Sequence, residues 1–138
     1  MPSCTDAQLE RAGQLRESIH LAATAAARRD PLPAPAVHTI NECSRQGRAA
    51  AVLTPDGDRQ WLLTSTSAVE DALGVIAADA IGILAGKRDG KLALCASPTC
   101  RAAFFDTSQS RTRRWCDMNT CGNRQKKARF AANQRKRP

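Results

Sequence analysis

Cys95-Ala-Ser-Pro-Thr-Cys100, followed fifteen residues later by Cys116-Asp-Met-Asn-Thr-Cys121-Gly-Asn-Arg124, decides the reading of this chain. Each Cys-x4-Cys pair delivers two thiols from one turn, and the excursion between them folds back to bring the second pair to the first. The N-terminus has no basic stretch leading into an apolar one, so no secretory signal is expected and the thiols should stay reduced. Reduced cysteines clustered in pairs usually serve a metal. Zinc fits because it takes four thiolates tetrahedrally, although a spacing of x4 lies at the long edge of the common range. Disulfides and an iron–sulfur cluster are the alternatives that spacing leaves open.

The flanks of the pairs carry further information. Asp117 is placed to cap a helix that begins at Met118, which sets Cys121 in its first turn, where free amides stabilise a thiolate. Gly122 then lies inside that helix at a cost of about 1 kcal/mol relative to Ala, so either the metal or packing needs its backbone close. Four thiolates around Zn(II) leave a formal charge of minus two, which Arg101, Arg114 and Arg124 could help neutralise. Cys4 and Cys43 stand alone on helical segments and read as small core residues. A closed four-cysteine site has no open position for substrate, and His20 and His38 lie far from any nucleophile motif. No catalytic residue is therefore assigned, and the chain is not expected to be an enzyme.

The formal net charge of +8 over 138 residues is unevenly distributed. Residues 1–94 carry ten Lys and Arg against eleven Asp and Glu, whereas residues 95–138 carry eleven against only Asp106 and Asp117. The basic excess thus lies wholly in the cysteine module, and a field of that sign and density suggests a polyanion partner.

Over the whole chain hydrophobic residues are 42% but aromatics only 4%, so Ala, Leu, Val and Ile must fill any core ahead of the module. Leu9, Ala12, Leu15, Ile19, Ala22, Ala23 and Ala26 recur at helical spacing, and Thr5-x-x-Gln8 can form a capping box. The helix should stop at Arg28-Arg29-Asp30, with Pro31, Pro33 and Pro35 making an extended linker. A shorter helix fits Ala36 to Gln46, stopped by Gly47. Ala49 to Leu53 and Arg59 to Leu63, separated by a turn containing Asp56-Gly57, read as a β-hairpin. Ser67-x-x-Glu70 is a second capping box, opening a helix through Val69, Leu73, Ile76, Ala80 and Leu84 to Gly86. Leu92-Ala93-Leu94 leads as a short strand into Cys95.

Cys95-Ala-Ser-Pro-Thr-Cys100, Phe105-Asp106-Thr107-Ser108, Arg113-Arg114-Trp115-Cys116-Asp117-Met118 and Cys121-Gly122-Asn123-Arg124 together closely resemble the CGNR-type zinc finger. That finger forms the C-terminal part of bacterial proteins described as stress-induced transcription regulators. The resemblance implies that Cys95, Cys100, Cys116 and Cys121 ligate one Zn(II) per chain. It also implies a helical N-terminal domain of the ABATE type, of which Leu15-Arg-Glu-Ser-Ile19 and Ile40-Asn41 look like pieces. The stretch that precedes the first helix in that family is expected to be missing.

The fold expected is mainly α with a β-hairpin: a helical ABATE-like domain over residues 1–90, then a small treble-clef-like Cys4 finger of hairpin and helix over residues 91–138. The function expected is zinc-stabilised binding of nucleic acid, with duplex DNA the first target. Arg111, Arg113, Arg114, Arg124, Lys126, Lys127 and Arg135 are the candidate contacts, the first three in a loop and the others on the last helix. RNA is a variant of this reading. An acidic protein partner or a small-molecule effector is the competing one. The absence of a long apolar run predicts no membrane span and a cytoplasmic location.

Overall fold

A computed structural model describes residues 3–64 and 67–138. The order of elements is α1 (Asp6–Ala27), α2 (Ala34–Gln46), β1 (Ala50–Leu53), β2 (Arg59–Leu62), α3 (Ala68–Leu84), β3 (Lys91–Leu94) and β4 (Ala103–Asp106), followed by a terminal helix. That helix opens with one π turn, Met118–Gly122, and continues as α4 (Asn123–Arg135). The structure is about 52% helical with two antiparallel hairpins, the mainly α architecture expected. It divides into two compact units, Met1–Ala22 with Pro31–Arg88, and Ala23–Asp30 with Asp89–Pro138. Among the described residues, no helix is long and apolar enough to cross a membrane.

In the first unit, Leu15 and Ala22 of α1, Ala36, Ile40 and Cys43 of α2, and Leu73 and Ala77 of α3 form the core. Each fully buried Leu or Ile contributes about 1.5–3 kcal/mol. Small residues let the helices approach closely: a Cβ added to Gly47 would lie 2.7 Å from the Cα of Gly74, so backbone meets backbone where the end of α2 reaches α3. Gly47 has φ −70° and ψ 136°, an ordinary extended conformation, so it is needed for this approach and not for the left-handed stop that its position suggests.

The capping box at the start of α1 is present, with Thr5 N–H donating to Gln8 Oε1 at 3.0 Å and Gln8 N–H to Thr5 Oγ1 at 3.2 Å. The box expected at α3 is not. Ser67 makes no capping bond, and its hydroxyl lies 2.6 Å from that of Thr64 instead. The proline stretch also differs from expectation, because α2 begins directly after Pro33, with Pro35 in its first turn, where a missing N–H costs nothing. Both α1 and α3 end in paired bonds that wrap the last carbonyls. Asp30 N–H donates to Ala25 O with Arg29 at φ 62°, and Lys87 N–H to Gly82 O with Gly86 at φ 70°. Three side chains counted toward the apolar faces are out in solvent: Leu9, Ile76 and Cys4, the last lying ahead of α1.

The β1–β2 hairpin pairs Ala50 with Leu62 and Leu53 with Arg59, as the turn residues predict. Both strands are exposed throughout. Asp71, fully buried on α3, anchors the two ends of the hairpin: its carboxylate accepts from Arg48 N–H at 2.6 Å, Thr64 N–H at 2.7 Å and the Thr64 hydroxyl at 2.8 Å.

Candidate metal centre and basic face

In the second unit the order hairpin then helix brings the cysteines together. Leu94 and Ala103 pair at the end of β3 and β4, so residues 95–102 are a tight connection closed by Cys95 N–H to Ala102 O at 2.8 Å. Within it, Cys100 and Arg101 N–H both donate to Ser97 O, and Arg101 turns the chain with φ 53°. This knuckle presents Cys95 and Cys100 on one side. The second pair straddles the start of the terminal helix. Asp117 caps it by accepting from Asn119 N–H at 3.1 Å and from the Thr120 hydroxyl, which together hold its carboxyl below the usual value. The first turn is wide, with Gly122 N–H reaching Asp117 O, so Cys121 faces inward and is buried.

The four sulfurs lie within 4.8 Å of one another, with Cys100 to Cys116 at 3.6 Å and Cys116 to Cys121 at 3.7 Å. A tetrahedral zinc with bonds of about 2.3 Å separates its sulfurs by about 3.8 Å. The cluster is therefore suited to one zinc ion, and all four cysteines are free thiols. Burial opposes ionisation of Cys95, but the N–H groups of Cys116 and Ser97 and the neighbouring thiols outweigh it and bring Cys95 down to about 7. Burial, then its bonds to the other three thiols, pushes Cys121 up to about 12, and burial also raises Cys116. A bound dication would offset the charge of the thiolates that such a site holds.

Packing around Gly122 leaves no room for a side chain. A Cβ there would lie 3.2 Å from Cδ1 of Trp115 and 2.3 Å from Sδ of Met118. Trp115, half-buried, thus packs on the helix backbone beside Cys121.

The basic residues fall into two groups. Arg111 donates to Asp106 O at 3.0 Å and pairs with Asp89 at 2.7 Å. Arg113 donates to Trp115 O at 2.8 Å and to Cys116 O, and its guanidinium stacks 5.0 Å from the Phe104 ring. Arg114 lies 5.2 Å over Trp115. Asp106, 1% exposed, ties the loop down by accepting from Ser108 N–H at 2.9 Å and Arg113 N–H at 3.1 Å. The loop that carries these arginines is therefore pinned at both ends. Sequence reasoning missed this carboxylate, although Asp106-Thr-Ser is the pattern of a side chain that bonds the backbone two residues on.

The second group follows Cys121. Arg124 reaches Thr99 Oγ1 at 3.4 Å, while Lys126, Lys127, Arg129 and Arg135 make no ion pair among the described residues. Arg129 was not among the candidates, though it continues the same helix. Every residue from Lys126 to Pro138 is exposed, including the small apolar Ala128 and Ala132 and also Phe130 at 67%. Phe130 therefore covers no core.

Two family models match the chain. Residues 91–134 match the CGNR zinc finger, and residues 2–87, more than half of the chain, match ABATE, "Putative stress-induced transcription regulator". No curated relative matches.

Proposed function

We propose that this chain, which belongs to the ABATE family and ends in a CGNR zinc finger, is a bacterial transcription regulator that binds duplex DNA through its terminal helix. Neither family is one of enzymes, and the zinc is structural in this reading. Cys95, Cys100, Cys116 and Cys121 fill all four positions around it and fasten the knuckle to the helix, so zinc binding and folding of the finger are one event. Residues 1–90 act as the ABATE-like helical domain and residues 91–138 as the finger, in the reducing cytoplasm where thiols persist.

The single observation that carries the reading is the exposure of every α4 residue from Lys126 onward, with basic side chains on both sides of the helix. Arg124, Lys127 and Arg135 share one side by helical spacing, and Lys126 and Arg129 occupy others. A helix of about 10–12 Å diameter enters a major groove of about 12 Å only if nothing else covers it. Thirteen residues give α4 a length of about 20 Å, enough to meet both phosphate backbones. Arg114, stacked on Trp115 near the start of the helix, extends the basic surface, while Arg111 and Arg113 serve it indirectly by holding the loop.

The test is metal content of the purified chain followed by anisotropy titration with labelled duplex at several salt concentrations. One zinc per chain is expected. If about five phosphates are neutralised, affinity should fall about 500-fold between 50 and 200 mM salt. Binding that ignores salt, or an absence of zinc, would overturn the reading. Tighter binding to RNA would redirect it, and failure with every nucleic acid would favour an acidic protein partner.

A further inference from the structure

We propose a second site: the trough between the β1–β2 hairpin and α3 binds a small organic anion with a planar apolar body. The trough exists because of how the hairpin is held. Asp71 pins both of its ends, but the strands themselves carry Ala50 and Ala51 and bury none of their residues, so they stand off the helix with a gap beneath. The cavity measures about 480 Å³ and is lined by Arg59, Trp61, Val75, Ile76, Asp79 and Arg88. A smaller one of about 200 Å³ adjoins it across Trp61 and Val75. The larger volume lies within the range of small-molecule sites, about 300–1,000 Å³.

The lining specifies the ligand's chemistry. Ile76 is 51% exposed and Trp61 43% exposed, so two large apolar side chains face this gap although the unit has a core. Arg88 is paired with Asp79, while Arg59 has no carboxylate partner among the described residues and lies 5.3 Å over the Trp61 ring. A guanidinium fork beside an indole matches a carboxylate attached to a flat ring: the fork takes both oxygens, and the ring lies on the indole and Ile76. Two cations against one carboxylate give the trough a net positive charge, whereas residues 1–94 as a whole carry a slight negative one. A polyanion is therefore not drawn here, and a small anion is the better fit.

The site is independent of nucleic-acid binding, and its test reads the two apart. Zinc-loaded full chain is titrated with naphthalene-1-carboxylate, its neutral carboxamide and inorganic phosphate, following the indole N–H resonances of Trp61 and Trp115. The carboxylate should shift Trp61 saturably and leave Trp115 in place, with the carboxamide binding at least about tenfold more weakly. Arg59→Gln should weaken the carboxylate about tenfold without changing the carboxamide, and Asp79→Asn, which releases Arg88, should strengthen the carboxylate several-fold. Equal binding of carboxylate and carboxamide, equal binding of phosphate alone, indifference to both substitutions, or shifts confined to Trp115 would each overturn the proposal.

Discussion

Arg113 and Lys127 carry the same charge, yet they should fail in different ways when replaced by Ala. Arg113 donates to the carbonyls of Trp115 and Cys116 and stacks on Phe104, so it holds the approach to the second cysteine pair. Two hydrogen bonds from an exposed guanidinium and one exposed cation–π contact contribute together about 2 kcal/mol. Because folding of the finger and zinc binding are coupled, that loss should appear as an apparent zinc affinity weakened about 30-fold. Lys127 is exposed on α4 and makes no ion pair among the described residues. Its loss should leave zinc affinity unchanged, reduce the slope of log affinity against log salt by about 0.9, and weaken DNA binding about eightfold at 0.1 M salt. Competition with a chromophoric chelator measures the first quantity and anisotropy at four salt concentrations the second. If Arg113→Ala reduced the salt slope as much as Lys127→Ala and left zinc affinity intact, the division of the basic residues into two groups would be wrong.

Three other perturbations follow from close approaches and buried bonds. Gly122→Ala should destabilise the finger by about 1–3 kcal/mol through its clash with Trp115 and Met118, with part of the loss restored by Met118→Ala; zinc competition reads both, and an unaffected single variant would refute the packing account. Gly74→Ala should force α2 and α3 apart at Gly47 and lower the melting temperature of the first unit, while leaving zinc content at one per chain. The Asp71 carboxyl is held below its ordinary value by Thr64 N–H, then by Arg48 N–H and the Thr64 hydroxyl. Its contribution is therefore complete above the unfolded value of about 3.9 and is lost as pH falls through the lower folded value. The protection of the Arg48 and Thr64 amides against exchange, taken relative to the intrinsic rate at each pH, should fall on acidification in the native chain, and Asp71→Asn should remove that acid dependence; unchanged protection would mean the hairpin does not depend on this carboxylate.

The local features were readable from sequence for a physical reason: caps, turns and metal spacings are set by residues a few positions apart. Thr5 with Gln8, the Asp56-Gly57 turn and Asp117 at the head of the terminal helix all depend on such short separations. Failures arose where a residue's partner is remote. Gly47 and Gly74 are 27 positions apart, and nothing local marks either as the place where two helices touch. Asp71 falls inside an amphipathic stripe and reads as an ordinary polar position until the hairpin returns over it. Ser67 was given a capping role that its sequence context permits, but the Thr64 hydroxyl lies within hydrogen-bond reach of its side chain. The four cysteines were the legible part of the site, and the sorting of the cations was not, because a count of charge contains no information about acceptors.

That sorting has a structural cause in the backbone. Between Asp106 and Cys116 the chain is irregular, so its carbonyls are not consumed by a helix or a strand. Arg111 and Arg113 take three of them, at Asp106, Trp115 and Cys116. From Met118 onward the backbone is helical, and its carbonyls are taken by N–H groups one turn later. No Asp or Glu follows Asp117 either. Among the described residues, the side chains of cations placed after Cys121 therefore bind no other side chain, apart from Arg124 with Thr99. The position at which the second cysteine pair starts the helix separates Arg111 and Arg113, which bond the finger's own carbonyls, from lysines and arginines that make no ion pair among the described residues.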